Sequence, residues 1–243
     1  MATVLLFPAA AWRTAAIMRS MSFQTADEIV DAGEHLPNGA TLVIDQISWD
    51  DYEYLLEGLA DRPGLRISYD CGRLEIVSPS KGHGRYERLI EGLVLIFCEV
   101  FHLKFEAFGS ATWKDRSLAK GNEPECAYYI RKVEQMLGKG PIDFESGPPP
   151  DIAVEVDITR SSLTKFSIYA ALGVAEVWRY DGKRCRFYGL IEGRFLEIQT
   201  SDFLPGLTGQ MIAEAVELCK TAGQDEARKT FRRRIKSLKK ENR

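Results

Sequence analysis

"PPPDIAVEVDITRSSLTK", residues 148–165, begins with three prolines and continues as an apolar run that carries Asp151, Glu155 and Asp157. Side chains alternate between faces along a strand. Ile152, Val154, Val156 and Ile158 therefore point one way, and Asp151, Ala153, Glu155 and Asp157 the other. Alternation alone describes a strand with its polar face in water. Two features count against that reading. The run passes directly into "SSLTKFSIYAALG", a compact helical pattern with a serine N-cap and Gly173 as its stop, and such strand-to-helix connections belong to sheets covered by helices. Glu155 and Asp157, about 7 Å apart on that face, also repel one another, with Asp151 about 13 Å from Glu155 adding less, and a divalent cation would offset that repulsion.

Carboxylates with no Cys or His cluster suit a hard, oxygen-preferring ion, Mg²⁺ or Mn²⁺. Such an ion polarises a phosphodiester and lowers the pKa of an attacking water. The chemistry needs a further carboxylate and a cation. Glu125, after Pro124 in "GNEPECAYYI", is the candidate carboxylate. Lys165 is the candidate cation, because it lies near the start of the following helix and its long stem can reach back over the strand end. "SPSKGHGRYERLI" adds His83 and Glu87, one helical turn apart and so on one face. Each has an ordinary alternative: a strand-edge acid for Glu125, a solvated helix lysine for Lys165, a capping or surface histidine for His83.

Outward from this stretch, the order of elements reads as mixed α/β. "SWDDYEYLLEGLAD" (48–61) is a helix with a serine N-cap, and "LRISYD" and "RLEIVS" flank Cys71-Gly72 as a hairpin. "RYERLIEGLVLIFCEVFHL" is the longest helical pattern, and "KFEAFGSATWKD" and "CAYYIRK" are strands. Residues 139–150, rich in Gly and Pro, read as a loop or a short irregular strand. After the 151–158 strand and its helix, "VAEVWRYDGKRCRFYGL" is a strand, an Asp-Gly turn and a strand, continued by "RFLEIQ". A central sheet carrying helices is expected, with a helical, basic segment over 207–243.

At 243 residues and 45% hydrophobic content, one α/β domain with extensions is the default. The net charge of −3 is unevenly distributed: residues 228–243 hold nine Lys or Arg against one acid, leaving 23 basic and 34 acidic residues elsewhere, a net −11. Five cysteines are scattered singly, as reduced thiols in a cytoplasmic protein are. The apolar start has no basic residue before its short run, and Pro8 breaks it below membrane-spanning length, so neither a signal peptide nor a membrane span is expected. Met18 and Met21 are alternative starts.

Taken together, "RISYDCGRLEIVSPSKGHGRYERLI", "GNEPECAYYI" and "PPPDIAVEVDITRSSLTKFSIYAALGVAEVWRYDG" resemble the Uma family of putative restriction endonucleases, within the PD-(D/E)xK nuclease superfamily. The resemblance covers residues 48–199. It implies a restriction-endonuclease-like fold, a mixed central β-sheet flanked by α-helices, spanning 48–206 between an N-terminal extension (1–47) and the basic tail (207–243). Metal-dependent phosphodiester cleavage of DNA is the activity implied. By position, Glu125 matches the first acidic ligand, Glu155 the acid of the second motif, and the main-chain carbonyl of Val156 a further ligand. Asp151 matches an acid common at the start of that strand, and His83 a recurrent histidine. Glu87 lies where the superfamily's helix supplies an additional acid.

Two departures stand out. Glu replaces Asp at 125, one methylene longer. Asp157 stands where the superfamily's lysine belongs, and an acid cannot stabilise charge developing on phosphate. In such nucleases the lysine can migrate to the following helix, where Lys165 lies. The leading expectation is therefore a Mg²⁺- or Mn²⁺-dependent endonuclease, with a homodimer favoured for cutting two strands. The alternative is a decayed nuclease fold that binds nucleic acid, its basic tail supplying phosphate contacts. A carboxylate-metal hydrolase of small phosphate esters ranks last.

Overall fold

A computed structural model of the chain describes residues 4–7, 25–62, 64–80, 83–109, 111–137, 147–157 and 165–241. The chain divides into two compact units, one formed by residues 1–81 and 112–123, the other by residues 82–111 and 124–243. Each contains its own six-stranded sheet. The α/β class holds, but the strands form two sheets where a single central one was expected.

The first unit holds β1 (Val4–Phe7), α1 (Ala26–Glu34), β2 (Thr41–Ile44), α2 (Trp49–Gly58), β3 (Arg66–Asp70) and β4 (Arg73–Val77). Its numbering resumes later in the chain with β6 (Trp113–Asp115) and β7 (Lys120–Asn122). Its sheet runs β1-β2-β4-β3-β7-β6. The β3–β4 hairpin closes through Cys71 (φ 48°) and Gly72 (φ 95°), the paired positive φ angles of a tight turn whose twist matches the strands. Ser48 caps α2 by accepting from the Asp51 amide at 3.1 Å. Tyr52 of α2 is fully buried and stacks on Tyr69 at 4.7 Å between ring centroids.

The second unit begins with α3 (His83–Phe101), followed by β5 (Glu106–Phe108), β8 (Cys126–Tyr129), β9 (Ile152–Val156), α4 (Phe166–Leu172), β10 (Glu176–Tyr180), β11 (Cys185–Ile191), β12 (Arg194–Ile198) and α5 (Gly209–Glu241). "KFEAFGSATWKD" is thus not one strand: β5 pairs with β8 and β6 with β7, in separate sheets. The expected serine cap of the helix after β9 lies outside the described residues, and α4 as described starts behind Lys165. Gly173 ends it in the left-handed region, φ 79°, where glycine carries no Cβ penalty. α5 is interrupted at Gly223 (φ 87°, ψ 167°).

The sheet of this unit runs β12-β11-β10-β9-β8-β5 and is mixed. β9 pairs antiparallel with β8 and parallel with β10, α4 being the crossover helix between the two parallel strands. This makes β9 a central strand covered on both faces. Ile152, Val154 and Val156 enter the main core with Leu93 and Phe97 of α3 and Ile212 and Val216 of α5. Ala153, on the other face, packs with Tyr169 of α4 and with Val174 and Val177. The acidic face of the 151–157 stretch is therefore turned under a helix and not into water, since Asp151 and Glu155 are each 1% exposed. No helix among the described residues is long and apolar enough to cross a membrane. All five cysteines are free, and burial pushes the Cys98 and Cys126 thiols up to about 12.

Candidate active site

Three carboxylates line one end of β9, and each has a different partner. The β8–β9 register pairs Cys126 with Val154, so Glu125, one residue before β8, falls opposite Glu155. Its side chain turns toward β9 and accepts a hydrogen bond from the Val156 amide at 3.3 Å. Both glutamates are buried. Asp157, just past the strand, pairs with Arg179 of β10, whose Cα lies in register with Glu155.

Glu155 is met from above by α4. Lys165 Nζ stands 3.1 Å from Glu155 Oε2 and 3.4 Å from Oε1, and the Tyr169 hydroxyl donates to Oε1. Residues 165 and 169 are four apart, one turn of helix, so one face of α4 delivers both donors to a single carboxylate. Lys165 is itself buried, its ammonium removed from water to meet that acid.

Burial pushes the Glu155 carboxyl well above the usual carboxylate range. The charge of Lys165 opposes that shift, while the charges of Glu125 and Asp157 reinforce it. Among the described residues the end of β9 thus gathers three carboxylates against the two cations Lys165 and Arg179. Carboxylate oxygens gathered at one buried strand end, with no nitrogen or sulfur donor among them, are the ligand chemistry that a hard divalent cation prefers. Glu125 and Glu155 are the side chains able to hold it.

The other expected residues are placed differently. Asp151, at the start of β9, accepts from the backbone amides of Ile130, Arg131 and Lys132 at 2.7, 2.8 and 3.1 Å, so its carboxylate is spent on fixing the turn after β8. Glu87 is half-buried on α3, near enough for its charge to raise the Cys126 thiol. The side chain of His83, the first residue of α3, lies outside the described residues. A set of three side-chain donors within 4.8 Å of one another occurs at Asp31 and Glu34 of α1 and His35, which caps its C-terminus, all exposed on the first unit.

Two contributors were missed in the sequence. Tyr169 carried a usable signal, its four-residue spacing from Lys165. Arg179 carried none, because only the β9–β10 pairing brings it beside Asp157.

The model of the Uma2 family, described as "Putative restriction endonuclease", matches residues 49–218. Among solved structures, one described as a putative nuclease belonging to DUF820 from Anabaena variabilis is similar at 14% identity, covering 65% of this chain and 97% of that one, with a TM-score of 0.46. No curated protein matches the chain.

Proposed function

The chain belongs to the Uma2 family of putative restriction endonucleases, and on that premise we propose that it is a metal-dependent nuclease hydrolysing phosphodiester bonds in DNA. The observation that carries the proposal is Lys165 Nζ at 3.1 Å from Glu155, a cation supplied by the following helix where the strand itself presents Asp157.

In this reading Glu125 and Glu155 hold Mg²⁺ or Mn²⁺, with the main-chain carbonyl of Val156 as a further oxygen donor. A bound ion of this kind supplies Lewis acidity and a water of lowered pKa. Lys165 steadies the negative charge that develops on the attacked phosphate, a task that a buried, fixed ammonium performs better than a solvated one. Tyr169 holds the Glu155 carboxylate in one orientation. Asp157 neutralises Arg179, Asp151 keeps its structural position, and His83 and Glu87 are assigned to orienting water or a second ion.

The test is direct. Purified protein with plasmid DNA and Mg²⁺ or Mn²⁺ is expected to cut, and Glu155→Ala is expected not to. Equal inertness of both proteins on duplex DNA, single-stranded DNA and RNA would overturn the proposal.

Metal binding carries a second expectation, with a definite sign. A carboxyl whose pKa is raised keeps its proton near neutral pH, and a metal must displace that proton to bind Glu155. Mn²⁺ affinity should therefore rise with pH by up to about tenfold per unit below about 8 and level off above it, where the Glu155 carboxyl has already lost its proton, with proton release on binding in the rising range. Calorimetry in buffers of different ionisation enthalpy measures both quantities. A pH-independent affinity with no proton release would remove Glu155 as a ligand. No Mn²⁺ binding at any pH would favour the decayed, nucleic-acid-binding alternative, for which Asp157 at the lysine position speaks.

A further inference from the structure

The half of α5 beyond Gly223 is amphipathic, with a marked imbalance of charge. Ala227, Phe231 and Ile235 are buried in the same core as Leu93 and Phe97 of α3. Outward, residues 224–241 carry eight Lys or Arg against three acids. Burial of the apolar stripe fixes these cations on a surface of the second unit, where a free tail would leave them in solution.

The cations gather along the seam with α3. The Arg228 guanidinium lies over Gly92, where an added Cβ would come within 2.5 Å of its Nη2, so the mid-helix glycine admits it. Further along, Arg232, Lys236, Lys239 and Lys240, with His102 and Glu99, border a groove of about 390 Å³.

Internal pairing explains part of this charge. Lys229 pairs with Asp225, Arg232 with Glu99, Arg233 with Glu226, and Arg234 with Glu214. Lys239 donates to the Val100 carbonyl at 2.5 Å, as a cation at a helix C-terminus does. Among the described residues, no acid pairs with Arg228, Lys236 or Lys240. Basic residues recur at 228, 232, 236 and 240, every fourth position. At the rise of an α-helix this stripe is about 18 Å long, about the axial length of five base pairs. Outside residues 228–243 the chain carries −11, which repels polyanions, so a basic stripe with three of its four cations unpaired with an acid is the place where one would be tolerated.

We propose that the α3–α5 seam is a phosphate-binding surface for the backbone of nucleic acid. The choice of nucleic acid as the polyanion rests on the nuclease reading, whereas the surface itself does not. Binding there is independent of base sequence and strongly dependent on salt, because phosphate contacts position a duplex without reading it.

The experiment uses the full chain in EDTA, so that cleavage does not enter the readout. Anisotropy of a labelled duplex is followed across a salt series for the wild type and for Arg228→Gln/Lys236→Gln/Lys240→Gln. The slope of log affinity against log salt should shrink by about 2 to 3, and low-salt affinity should fall by about 10- to 100-fold. Lys236→Arg/Lys240→Arg should retain wild-type binding. If the triple variant loses its helical circular dichroism, the single exposed change Lys236→Glu takes its place, with a slope smaller by about 1. Unchanged slope and affinity would overturn the proposal, as would poly-glutamate binding as tightly as the duplex. An inactive nuclease that still binds DNA with the expected slope would separate the failure of the catalytic reading from that of this one.

Discussion

Replacing Lys165 with methionine is expected to lower metal-dependent DNA cleavage by at least about 10²-fold, the scale on which removal of a fixed charge-stabilising group acts. The variant keeps most of the stem's bulk and removes only the ammonium. Methionine packs where the lysine stem packed, under a helix that already buries it. Glu155 loses its cationic partner but keeps the Tyr169 hydroxyl, and its raised pKa lets it take up a proton instead of remaining a bare buried charge. The fold should survive, and the loss should appear in kcat. Lys165→Arg is expected to recover little, because a planar guanidinium does not fit a site shaped for a compact ammonium at 3.1 Å. Plasmid nicking and single-turnover rates measure the effect. Wild-type rates in the methionine variant would remove Lys165 from the chemistry.

Replacing Asp151 with alanine should instead destabilise the protein by about 3 to 5 kcal/mol, the range seen when one partner of a buried charged network is deleted. The carboxylate is 1% exposed and satisfies three backbone amides, those of Ile130, Arg131 and Lys132. Each stranded donor costs about 1–3 kcal/mol when it cannot reach water. The Lys132 ammonium, 3.8 Å away and partly exposed, adds little. Asp151→Asn keeps one acceptor and should lose less. Urea unfolding of the two variants against the wild type reads the difference directly. A loss below about 1 kcal/mol in Asp151→Ala would contradict this account, because a single net hydrogen bond already contributes about that much.

These two acids lie four residues apart on one strand and look alike in the sequence, yet their environments divide them. The alternation in "DIAVEVD" was enough to put both on the same face. It did not show that this face is buried, because a pattern of period two is the same whether water or a helix lies above it. The reading of strand followed directly by helix pointed the right way, and the parallel β9–β10 pairing supplied the cover. Partnership was less legible still. Asp157 reads as a missing lysine in the sequence and as the counterion of Arg179 in the fold, a relation made by residues 22 apart in the chain.

The sequence by itself determined local elements: the hairpin turns at Cys71-Gly72 and Asp181-Gly182, the helix capped by Ser48, and a strand after Pro150 followed by a helix that stops at Gly173, because backbone propensity and side-chain periodicity are local properties. The division of the strands into two sheets was decided only in three dimensions, where "KFEAFGSATWKD" sends one strand to each. So were the convergence of Lys165 and Tyr169 on one carboxylate and the seating of the basic helix on α3. Strand pairing and helix packing join residues far apart in the chain, and burial, which sets the charge state of Glu155, exists only once they have joined.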